Sequence, residues 1–183
     1  MLYKGMSKSE IETVLADKGD FVKIDYLTKF LKEEISLDMK KFVYLKLVEI
    51  YEKKNLLTET AKTYSNLAEV AIVFSEKINF HIKEAETYIK AGLFEVADRA
   101  VKKAIHYANS MQKPEISLEI KEFYKKQAKI LENQNRRRHA VKIYEKLVEM
   151  NLSDEEKFYV REKLLELYEK LGMISELNLL KGV

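Results

Sequence analysis

No cysteine occurs in the 183 residues, which excludes disulfides, thiolate metal ligands and thiol nucleophiles. Tryptophan is absent, and proline occurs once, as Pro114. Of the five glycines, Gly5 and Gly182 lie near the ends, while Gly19, Gly92 and Gly172 fall between helical stretches. Little is left from which to build β-turns, so the chain is expected to be all-α. Arginine is scarce as well: only Arg99, Arg136, Arg137, Arg138 and Arg161 are present among 33 basic residues. Lysine serves a solvated exterior better than a rigid bidentate site, where arginine dominates.

No apolar run approaches the ~20 residues of a membrane span. The opening MLYKGMSKSEIE has no apolar stretch of the kind a secretory leader carries. A cytoplasmic location without membrane insertion is therefore expected. The formal charge of +3, from 33 basic and 30 acidic residues, is too balanced to imply nucleic acid or membrane by itself.

What the sequence does have is helical periodicity bounded by caps and breaks. Ser7 with Glu10 and Ser153 with Glu156 have the spacing of capping boxes. Ser36 and Thr58 are further candidate starts, and Pro114 suits a first helical turn, where its missing N–H costs little. Helix pairs are expected at about 7–34, 36–73, 75–110, 114–151 and 153–181, within a single domain over 1–183. Apolar and small residues recur at i, i+4 and i+7, as in Tyr44, Val48, Tyr51; His81, Ala85, Tyr88; and Tyr124, Ala128, Leu131.

Four segments, 48–68, 85–105, 128–148 and 165–183, can be laid over one another. Tyr51, Tyr88, Leu131 and Tyr168 then share a column, at spacings of 37, 43 and 37 residues. Four residues on stand Asn55, Gly92, Asn135 and Gly172, types that tolerate the left-handed turn ending a helix. In the second helices Thr60, Ala97, Ala140 and Leu177 align, with Ala97 and Ala140 expected where helices cross. Val14 opens a weaker copy ending at Gly19. A single hairpin cannot bury its apolar face, whereas stacked neighbours make a continuous core.

Ala85, Tyr88, Gly92, Ala97, Val101 and Ala104, with Ala128, Ala140, Tyr144 and Leu147, resemble the motif of the tetratricopeptide-repeat family in a degenerate, long-hairpin form. The resemblance implies a right-handed superhelix, an α-solenoid of about four to five antiparallel hairpins. It also implies a concave groove that binds a protein or peptide.

Signatures of catalysis are missing: there is no glycine-rich phosphate loop, no GxSxG elbow and no Glu-x-x-His pair. No enzyme activity, cofactor or metal is expected. His81 falls on the packing stripe and is expected to be a core histidine with a hydrogen-bond partner.

Two basic features remain as candidate partner sites. Lysine stands five residues before the tyrosine column in every copy, as Lys46, Lys83, Lys126 and Lys163. Lys90, Lys125 and Lys129 lie close to it. Such a ladder can recognise an acidic peptide, or it can be an ion-paired face, since Glu precedes Lys by four residues in three copies. The second is the turn holding Arg136, Arg137, Arg138, His139 and Lys142, which offers contacts to phosphates and an alternative role as a nucleic-acid or regulatory module. No aromatic residues are interleaved for base stacking, so nucleic acid is not the expected partner. The apolar tail helix, 173–181, is expected to fold back on the last hairpin, and otherwise would bury against a second copy of the chain.

Overall fold

The computed structural model describes residues 1–182. Val183, the last residue of the fourth aligned segment, lies outside the described residues. Among the described residues there are ten α-helices and no strand: α1 Lys8–Ala16, α2 Asp20–Phe30, α3 Leu37–Lys53, α4 Leu57–Val70, α5 Phe74–Ala91, α6 Phe94–Tyr107, α7 Gln112–Asn133, α8 Arg137–Val148, α9 Asp154–Leu171 and α10 Ile174–Lys181. They form two compact units, Met1–Lys113 and Pro114–Val183.

Local chemistry sets most of the boundaries. Ser7 and Ser153 each accept from the N3 amide, and Glu10 and Glu156 return the bond, which completes both capping boxes. Asn109 receives the amides of Met111 and Gln112 on its side chain at the start of α7. Gly92 and Gly172 close α5 and α9 at φ +74° and +67°, a left-handed conformation that a Cβ disfavours. Asn55 and Asn135 take the same conformation, at +55° and +56°. Thr58 does not cap α4. Leu56 holds that position with no side-chain bond, and Thr58 lies inside the helix. The reason is the tight turn at Asn55: Leu56 donates its amide to Tyr51 O at 2.9 Å, so the chain re-enters helix one residue later.

In the first unit consecutive helices pack from α2 through α6. One core joins α1, α2 and α3 through Ile11, Leu27, Phe30 and Val43; a second joins α3, α4 and α5 through Val48, Tyr64, Leu67 and Phe80. In the second unit α8 packs on α9 and α9 on α10, with Tyr144, Ile143, Leu147, Val160 and Leu164 buried. Ala97 and Ala140 are fully buried. The tail helix folds back: Leu177 is buried, and Arg161 donates to Leu180 O at 2.9 Å, although Leu179 remains 83% exposed.

The two units share a plan. A shift of 80 residues carries the end of α3 at Lys53 onto the end of α7 at Asn133, and the start of α4 at Leu57 onto α8 at Arg137. The same shift carries α5, 74–91, onto α9, 154–171, and the left-handed Asn55 and Gly92 onto Asn135 and Gly172. The larger repeat is therefore two hairpins long, with α3–α6 echoed by α7–α10.

Candidate functional site

Side-chain bonds repeat with the helices. Tyr64 on α4 donates to Glu52 at 2.8 Å, and Tyr144 on α8 donates to Glu132 at 2.5 Å. Lys41 on α3 bonds Glu76 on α5 at 2.6 Å, and Lys121 on α7 bonds Glu156 on α9 at 2.9 Å. Each of these four residues in the second unit lies 80 positions beyond its counterpart in the first. Burial, reinforced by the adjacent carboxylate, raises the phenols of Tyr64 and Tyr144 above their ordinary range, so both stay protonated as donors.

The lysine column is largely absorbed by this framework. Lys46 pairs with Glu12 at 2.8 Å and lies 5.7 Å from the Phe42 ring centre. Lys163 pairs with Glu132 at 2.9 Å and Glu166 at 3.5 Å. Lys125 bridges Glu122 at 2.7 Å and Glu156 at 2.5 Å. The ammonium groups of Lys83 and Lys129 sit over the rings of Tyr64 and Tyr159, at 5.7 and 5.9 Å. Lys90 occupies the last turn of α5, where a cation complements the carbonyl end of the helix. Lys126 is exposed and has no charged partner among the described residues. Of the Glu-to-Lys pairs four apart, Glu166 bonds Lys170, whereas Lys53 turns instead to Asp20 at 3.1 Å.

The carboxylate at the centre of the second unit's network is held well below its usual range. Glu156 is lowered from 4.5 to about 2, first by Lys125, then by the Ser153 backbone amide and Lys121. Such a network ties α7 to α9 and engages Lys125, a neighbour of the column, in the fold.

The basic turn is open. Arg136, Arg137, Arg138, His139 and Lys142 are all exposed where α8 begins. Arg137 reaches back to the Asn135 side chain at 3.3 Å, and the other four have no charged partner among the described residues.

The histidine on the packing stripe is buried and paired. His81 donates from Nδ1 to Glu84 Oε2 at 2.8 Å, with the two side chains 6% and 5% exposed. Sequence reasoning had not singled out Glu84. The available signal was the occurrence of Leu164 at the corresponding place in the second unit, so that a carboxylate stands where the repeat needs an apolar residue. Glu52 and Glu132 bond tyrosines on the next helix, a pairing that no spacing within one helix reports.

Among the described residues no group of three or more His, Asp or Glu side chains could hold a metal ion, and no helix is long and apolar enough to cross a membrane. No family model, curated protein or solved structure matches this chain.

Proposed function

We propose that this protein is a non-catalytic scaffold of the tetratricopeptide-repeat type, whose helix pairs stack as a right-handed superhelix and bind a protein or peptide partner. The observation that carries the reading is the recurrence of helices, left-handed turns and inter-helix bonds at a shift of 80 residues. Repeated hairpins present long side-chain-lined surfaces, and binding is the use such surfaces most often serve. The nearest thing to a catalytic pair, His81 with Glu84, has no cysteine to activate, and three of the four column lysines, Lys46, Lys83 and Lys163, are engaged in ion pairs or ring contacts.

A second reading, a nucleic-acid or regulatory module, is favoured by one observation: the cationic side chains at 136–142 are exposed together. The two readings separate on salt dependence. The scaffold reading expects RNA and DNA to bind no more tightly than the roughly 10⁻⁴–10⁻⁶ M of non-specific contacts at physiological salt. Replacing Arg136, Arg137 and Arg138 by Ser should then leave capture of the partner unchanged. A sub-micromolar affinity for nucleic acid, with a log-affinity against log-salt slope that flattens by nearly three in the triple variant, would overturn it.

A further inference from the structure

The first unit departs from the shared plan at a buried pair. At positions 161 and 164 the second unit has an exposed Arg161 and a buried Leu164; the first has the buried pair His81 and Glu84. Burying two ionisable groups where an apolar side chain serves the same fold costs desolvation, so the pair calls for another explanation.

His81 of that pair borders an open cavity of about 380 Å³, lined also by Glu69, Lys102, Lys103, His106 and Tyr107. Tyr107 is the hub. Its ring stacks on His81 at 5.9 Å and on Phe74 at 5.9 Å, meets His106 edge-on at 5.3 Å, and lies 5.2 Å beneath the Lys77 ammonium. Charges on the cavity side are unevenly engaged. Lys103 is 3.7 Å from Glu84 and donates to Ser65 at 3.2 Å. Lys102 has no partner among the described residues, and Glu69 is the one carboxylate on the lining. With Lys77 over the Tyr107 ring included, three ammonium groups stand at this cavity against the carboxylates of Glu69 and Glu84, which leaves one positive charge for a ligand.

A second departure adjoins the first. Where α9 opens on Ser153 with its capping box, α5 opens on Val73 with no side-chain cap. Ile72, Val73 and Phe74 are 80%, 56% and 65% exposed there. Leu152, the counterpart of Ile72, is buried. Phe74 joins this apolar knuckle to the cavity through its stack on Tyr107.

We propose that the cavity between α4, α5 and α6 and the Ile72–Phe74 knuckle form one docking site for an acidic peptide segment carrying an apolar residue beside its carboxylates. Carboxylates lie against Lys102, Lys103 and His106; the apolar side chain covers the knuckle and the Phe74 ring. The buried Glu84 fixes the His81 ring by holding its Nδ1–H, and so keeps the wall of the cavity rigid before the ligand arrives. Electrostatic complementarity selects the acidic partner, and the aromatic anchor supplies the contact area. This inference rests on the scaffold reading and adds a site and a partner chemistry to it.

The test is a titration of the isotope-labelled full chain, followed by amide and histidine-ring resonances. The probe is a short N-acetylated, C-amidated peptide of Asp-Glu-Leu repeats; the controls carry Lys for each acid or Ser for each Leu. The acidic probe should shift His81, His106, Tyr107 and Phe74, and both controls should bind at least several-fold more weakly. Lys102→Glu combined with Phe74→Ser should weaken the acidic probe about tenfold. Both residues are exposed, so the spectrum of the free variant should remain that of the folded chain. Shifts confined to the surroundings of Lys46 or Lys83, equal binding by the double variant, or no binding by any peptide would each overturn this site. The scaffold reading would then still stand or fall separately, on whether the chain captures a protein independently of nucleic acid.

Discussion

Tyr144 and Glu132 stand twelve residues apart on adjacent helices and are joined by a hydrogen bond of 2.5 Å. Tyr64 and Glu52 stand the same distance apart, in the same relation, in the first unit. A phenol that is buried except for a bond to a carboxylate fixes the rotation of one helix against the next. Replacing either tyrosine by Phe keeps the ring and removes the bond. Because each glutamate can still be hydrated, the cost should sit near the lower end for a bond to a charged group, about 1–2 kcal/mol in chemical denaturation. Equal losses from Tyr64→Phe and Tyr144→Phe would fit the shared plan; no loss from either would mean these bonds do not set the helix contacts.

Ala140 is fully buried on α8, and its counterpart on α4 is Thr60, another small and buried side chain. Both side chains are closed off from solvent, and extra methylenes have nowhere to go. Ala140→Leu should overpack the contact and cost about 1–3 kcal/mol, read as a lower thermal midpoint with an unchanged helical circular dichroism signal at low temperature. An unchanged midpoint would place the helix crossing elsewhere.

The Lys121–Glu156–Lys125 network makes acid stability predictable in sign. Glu156 is lowered from 4.5 to about 2 in the folded chain. A depressed carboxylate contributes stability above its unfolded value and loses it as pH falls through the folded one. Glu156→Gln should therefore be less stable than the natural chain at neutral pH. The gap should close as pH drops from 4.5 toward about 2. A gap that stays constant over that range would show that the ionised form is not what matters.

Much of the helical layout was visible in the sequence because it is set locally. The Ser7–Glu10 and Ser153–Glu156 capping boxes span three residues, and Asn55, Gly92, Asn135 and Gly172 declare their left-handed turns by residue type alone. Thr58 misled because a good capping residue is overruled when the preceding turn already fixes where the helix restarts. The lysine column was visible too, but its engagement was not. Lys46 meets Glu12, Lys121 meets Glu156 and Lys163 meets Glu132 across more than 30 residues of chain, which no spacing rule for a single helix reports. His81 was assigned to the core from its place on the stripe; the carboxylate that makes it a buried pair, and the Tyr107 ring stacked on it, come from tertiary packing. Likewise, aligning four single hairpins concealed that the first copy matches the third and the second matches the fourth, which became plain once the bonds at a shift of 80 residues were in view.

The proposed binding of protein rather than nucleic acid is open to one decisive measurement, capture from native lysate. The full chain, immobilised, is exposed to lysate of its own source with and without nuclease, and the retained material is resolved for both protein and nucleic acid. The same retained protein should appear at comparable yield in both arms, with no nucleic acid enriched in the untreated one. Protein that disappears on nuclease treatment, together with RNA or DNA enriched in the untreated arm and released by the Arg136, Arg137, Arg138 triple substitution, would contradict it.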